Sequence, residues 1–274
     1  MFILTKEIRK EFINGLRPNY AKLLPNKLIG SANDILFGAK ELYFSGTPFH
    51  NRGAGRQIRM DNPDTLGYIL NPLCEKIWHY FFEDFTPATQ SDFDEFHNEL
   101  CELFLDTSRK EGFIHTYGNA QKFINVLFKY LACYDDAERF FEEKFKYCHM
   151  ALDRYTYNGY RLPFYRDVVY TSIYGRPSDN LTAWSQLNEA EYKKVNKDIV
   201  SYVSAKNKTY NQYLSICHSL SVFIGVAHLK KDYVLTPFEA EFFLWAISKR
   251  CQEKDENGNY IYSAAFVKKI KSLL

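Results

Sequence analysis

The stretch from Thr116 to Leu131 constrains this chain more than any other, because apolar density and polar residues of no evident role coincide there. Read as a helix starting near Asn119, it carries Phe123, Ile124, Val126, Leu127, Phe128, Tyr130 and Leu131 around most of its circumference. That distribution marks a helix enclosed on nearly all sides. Lys122, Asn125 and Lys129 nevertheless fall at i, i+3 and i+7, on one narrow stripe. A lysine on so apolar a helix either reaches solvent along that stripe or is held in a cleft for chemistry.

The flanking segments read as further helices. Asn71 is placed to cap and Pro72 to occupy a first helical position before Leu73, Ile77, Tyr80 and Phe81. Ser91, with Asp94 three residues on, opens a run through Phe96, Leu100 and Phe104 that stops before Gly112. Residues 134–147 form an acidic amphipathic segment that packs through Phe140, Phe141 and Phe145. Asn188 with Glu191 starts another helix, Leu214 to Leu229 reads as a buried one, and Thr236, Pro237 and Glu239 give the clearest start signal of all. Residues 255–259 form a turn, and Ala264 to Leu274 a short basic helix. Period-two alternation is confined to Val168, Val169 and Ile173, too short to imply a sheet. The expectation is an all-α, mainly helical fold: one globular domain over 1–274 of about ten helices. A central hairpin and helix span 112–131, and the glycines and prolines before residue 62 are compatible with a looser N-terminal lobe.

With 46% hydrophobic and 17% aromatic residues, 274 residues can bury a substantial core, which excludes a disordered chain. The formal net charge of +2 means that any basic surface must be local. Six cysteines are scattered without a C-x-x-C pair, so no structural zinc site is expected. The first residues are too few for a signal-peptide apolar region, and the tract from Leu214 to Leu229 is too broken for a membrane span. A reducing cytoplasm is the economical location.

Two places could meet phosphate. The glycine-rich loop around Arg52, Arg56 and Arg59 combines close backbone approach with bidentate donors, and residues 193–208 carry five lysines. Arg154 opens a tyrosine-rich stretch whose rings could stack on an unpaired base.

Gly118, Lys122 and Asn125 at a helix start, followed by Leu152, Asp153 and Arg154 after a short apolar run, resemble the helix-hairpin-helix DNA glycosylase superfamily, which includes the 8-oxoguanine glycosylases. The resemblance implies that Gly118 and Asn119 offer backbone N–H groups to a DNA phosphate, that Lys122 attacks the sugar C1′, and that Asp153 assists. Asn125, Lys129 and Arg154, with Arg52, Arg56 and Arg59, complete the expected nucleic-acid contacts. DNA is the expected partner, and neither metal nor cofactor is expected. The competing expectation is a helical nucleic-acid-binding or protein-interaction module without chemistry, in which Lys122 and Asp153 pair or sit apart. A metal site of Cys148, His149 and Asp153 is disfavoured, because adjacent ligands fit tetrahedral geometry awkwardly.

Overall fold

The computed structural model describes residues 3–16, 28–45, 64–134, 137, 144–152, 184–206, 209–231, 233–254, 256, 260–262 and 268. The loop bearing Arg52, Arg56 and Arg59 lies outside them. So do Asp153, Arg154, the tyrosine-rich stretch, Val168 to Ile173, and most of residues 134–147 and of the basic tail. The described chain is mainly helical: α1 (Lys6–Leu16), α2 (Ala32–Ser45), α3 (Thr65–Trp78), α4 (Gln90–Lys110), α5 (Tyr117–Leu131), α6 (Glu189–Lys206), α7 (Tyr210–Ser219) and α8 (Pro237–Cys251). A small antiparallel pair follows, β1 (Gln252–Lys254) with β2 (Tyr260–Tyr262), in which Glu253 faces Ile261 across the turn expected at 255–259. No helix among the described residues is long and apolar enough to cross a membrane.

The chain divides into two compact units, one of residues 1–151 with 185–192 and one of 152–184 with 193–274. In the first, α2 packs on α3, α3 on α4, and both α2 and α4 on α5. Twelve of the fifteen residues of α5 are buried, so the helix expected to be enclosed on nearly all sides is the centre of this unit. Phe93 and Phe81 close on Phe128 at 5.8 and 5.3 Å, and Phe104 stacks on Phe123 at 5.1 Å. Burial pushes the nearby His115 down to about 4, so it is neutral at pH 7 beside the Tyr43 hydroxyl 3.2 Å away.

Several boundaries differ from the sequence reading, each for a local reason. Pro72 does not start a helix; it lies inside α3, which begins at Thr65. Leu66, Ile69, Leu70, Leu73 and Ile77 form an unbroken buried stripe on that helix, which outweighs the one amide bond proline removes. α4 starts one residue before Ser91, because Thr89 and Asp92 form a reciprocal capping box. Its end is the one expected: Gly112, at φ 82°, donates to Arg109 O, and Phe113 donates to Ser108 O at 2.9 Å. α5 begins at Tyr117, two residues before Asn119, because Thr116 accepts from the Asn119 amide as a cap.

In the second unit α7 and α8 pack together, with Phe243 receiving Tyr210, Tyr213 and Phe223 at 5.6–6.0 Å. The buried helix expected from Leu214 to Leu229 instead stops at Ser219. It begins earlier, at a Thr209 and Gln212 capping box, and ends with Ser221 at φ 59° in the place where a glycine is usual. The Val222 amide then bonds Cys217 O at 2.8 Å, and Asn211 holds the returning chain through both the amide and the carbonyl of Leu229. α8 starts as read, with Thr236 and Glu239 bonding each other's backbone amides.

Candidate functional site

The expected site residues gather, where described, on and around α5. Periodicity placed Lys122, Asn125 and Lys129 on one stripe, but what covers each position differs along the helix. Lys122, in the second turn, is half-buried. Lys129, two turns on at nearly the same angle, is 2% exposed, with its ammonium 4.7 Å from the Phe12 ring of α1. Asn125 is fully buried and gives its amide N–H to the Tyr192 hydroxyl at 3.0 Å and to Gln121 Oε1 at 3.2 Å. The residues of α5 that keep solvent access are Asn119, Lys122 and Val126, a stripe of their own at i, i+3 and i+7.

The first turn of α5 is closed by the chain. The Gly118 amide donates to Leu187 O at 2.9 Å, the Asn119 amide to Thr116 Oγ1 at 3.1 Å, and the Ala120 amide to Thr116 O at 3.1 Å. The Thr116 hydroxyl in turn donates to Ser185 O. A phosphate held through the amides of Gly118 and Asn119 must displace these bonds. Because α5 begins at Tyr117, Lys122 also sits beyond the first turn, where the helix-terminal charge falls off. Asp153, Arg154 and the arginine loop lie outside the described residues, while Leu152, just before Asp153, is fully buried.

Two features were not read from the sequence. One is a polar chain through the first unit. Asp94 Oδ1 lies 2.8 Å from His149 Nε2, and His149 Nδ1 lies 3.0 Å from the Tyr192 hydroxyl, which receives Asn125; Gln121 then donates to Gly118 O at 2.8 Å. His149, Tyr192, Asn125 and Gln121 are each at most 5% exposed. The sequence signals make Asp94 part of a helix start and set His149 beside Cys148 as a candidate metal ligand; nothing in the spacing joins residues 94, 125, 149 and 192. Among the described residues no group of three His, Cys, Asp or Glu side chains is placed to hold a metal ion.

The other is a cleft of about 740 Å³ beside the end of α3. There the helix widens by one residue, the Asp84 amide reaching back to His79 O at 2.8 Å, a π-type turn. Trp78 and Tyr80 with Phe96 give the cleft aromatic walls, Tyr80 lying on Phe96 at 3.8 Å. Three of its four carboxylates are engaged: Glu83 accepts from the Trp78 indole at 2.6 Å, Glu99 pairs with Lys76 at 2.7 Å, and Asp84 accepts from Lys144 at 3.0 Å. Lys144 also donates to the carbonyls of Tyr80 and Asp84, both at 2.6 Å, and so stitches the widened turn from beneath.

The fold and site thus define a mainly helical, two-unit protein with one half-exposed lysine on a sealed central helix. No protein-family model, no curated protein and no solved structure matches the chain.

Proposed function

We propose that the chain acts on DNA as a base-excision glycosylase with lyase activity, Lys122 being the nucleophile and Asp153 the carboxylate that stabilises charge on the sugar. The observation that carries this reading is the contrast within α5: Lys129 is sealed in the core, whereas Lys122 keeps access to solvent beside an apolar surround. A nucleophilic lysine attacks as the unprotonated amine, and a position open to solvent lets a substrate reach it. The unprotonated Nζ forms a bond to C1′ as the glycosidic bond breaks, and the base departs with the bonding pair and takes up a proton. Ring opening then leaves an imine between Lys122 and the sugar, which borohydride reduces to a stable amine. The base must leave the stack to be reached, a role suited to the aromatic stretch after Asp153.

Trapping with borohydride on a panel of duplexes carrying damaged bases and abasic sites tests the reading. The parent chain gives a covalent adduct, and Lys122→Ala removes it while keeping the helical circular dichroism of the parent. DNA affinity falls steeply with salt, as expected for contacts through local basic segments. A second reading, a helical interaction module without chemistry, is favoured by the burial of Asn125 and by the engaged Gly118 amide. It predicts no adduct on any duplex, whether the module binds nucleic acid or only protein.

A further inference from the structure

The polar chain from Asp94 to Gln121 has a direction, and the direction follows from donor chemistry. A carboxylate only accepts, so Asp94 Oδ1 at 2.8 Å requires a proton on His149 Nε2. In the neutral imidazole Nδ1 is then a bare lone pair, and the Tyr192 hydroxyl 3.0 Å away must donate to it. The Tyr192 oxygen is in turn the acceptor for Asn125 Nδ2, which donates onward to Gln121 Oε1. Asn125 Oδ1 has no hydrogen-bond partner among the described residues, although the side chain is fully buried.

A second proton on His149 must go to Nδ1, and it reverses this order. Nδ1–H now donates to the Tyr192 oxygen, which already receives the Asn125 amide, and the Tyr192 proton has to turn elsewhere. Rotation of the Asn125 amide by half a turn supplies an acceptor by bringing Oδ1 to the hydroxyl. The same rotation sets Oδ1 in place of the amide that Gln121 Oε1 accepted, two acceptors facing each other, so the Asn125–Gln121 bond is lost. We propose that His149 is a proton-operated switch that reverses the hydrogen bonds of Tyr192 and Asn125 and so transmits protonation at the edge of α4 to the first turns of α5.

The groups that face His149 suit this role. From α4 come Asp94, whose side chain is 52% exposed and gives protons a route from solvent, and His97, whose ring centroid is 4.4 Å away and whose Nδ1 meets Cys101 Sγ at 3.9 Å. From α6 comes Tyr192, and from α5 the uncharged Asn125 and Gln121. Phe93 covers the ring edge-on at 5.2 Å.

The test is a pH titration of the full chain by NMR with labelled histidine rings and asparagine side-chain amides. Neutral His149 should carry its proton on Nε2, and the Asn125 amide should move with the same midpoint as the His149 ring. Tyr192→Phe should leave His149 titrating but hold the Asn125 amide still. Asp94→Asn, at a half-exposed position, removes the carboxylate that fixes the Nε2 proton, so the neutral ring should no longer be held to that tautomer. If Tyr192→Phe does not fold, the parent titration and Asp94→Asn suffice. A neutral ring protonated on Nδ1 overturns the proposal. So does an Asn125 amide that stays still while His149 titrates, one that still moves in Tyr192→Phe, or a His149 that never takes up a proton while the chain is folded.

Discussion

Lys144→Met is expected to destabilise the first unit by about 3–5 kcal/mol, the range for removing one partner of a buried charged network. The lysine is 2% exposed, and its ammonium has three acceptors: the carbonyls of Tyr80 and Asp84 and the Asp84 carboxylate. Methionine keeps the apolar stem over the Tyr80 ring, where the ammonium stands 4.2 Å from the centroid, so the substitution isolates the loss of the charge and its donors. The carbonyls at the widened turn are then left without their donor, and a buried unpaired acceptor costs about 1–3 kcal/mol. Asp84 is held well below the usual carboxylate range first by its bonds to Thr86 and then by Lys144, so it stays charged and loses its counter-ion. Urea unfolding followed by circular dichroism reads the effect. A midpoint equal to that of the parent would show that water serves the turn as well as the lysine does.

The second large effect is a pH dependence centred on Glu239 in the other unit. Its carboxyl is fully buried at the start of α8, and burial pushes it up to about 7 despite the bond it accepts from the Thr236 amide. A carboxyl with a raised folded pKa is stabilising while protonated. That contribution is complete below its unfolded value near 4.5 and is lost as pH climbs through about 7. Converted at 1.36 kcal/mol per unit, the span is roughly 3 kcal/mol. Glu239→Gln keeps the capping oxygen and cannot ionise. The variant should therefore match the parent near pH 5 and exceed it in stability near pH 8 by up to that amount. Parallel loss of stability in both proteins between those two values would place the pH dependence elsewhere.

The helical class was readable because caps and 3.6-residue periodicity act locally. Gly112 ended α4 where a left-handed residue was needed, and the same signal failed after α7, where Ser221 takes that conformation without being glycine. Pro72 misled because its cost is local while the buried stripe of α3 that overrides it is a property of the whole packed unit. The site was read less completely. Spacing gave the angular position of Lys122, Asn125 and Lys129 on their helix, yet Phe12 and Tyr192, more than sixty residues away in each direction from Asn125, decide which of them meets water. Lys144 sat in an acidic surface-like segment with nothing to mark it as buried. The segment holding Asp94, Asp92 and Gln90 read as a helix start and no more, since a partner at residue 149 leaves no local trace.

The enclosure of α5 also determines what inheritance can change. In a library of every single substitution, this helix would read as a nearly solid block of intolerance. Most of its positions fail for the same reason, that another side chain cannot be packed there, and their failure carries no news about activity. Asn119, Lys122 and Val126 are the places where sequence can drift without disturbing the core. If Asn119 and Val126 accept replacement and Lys122 alone refuses even arginine, selection is acting on an amine and not on a shape.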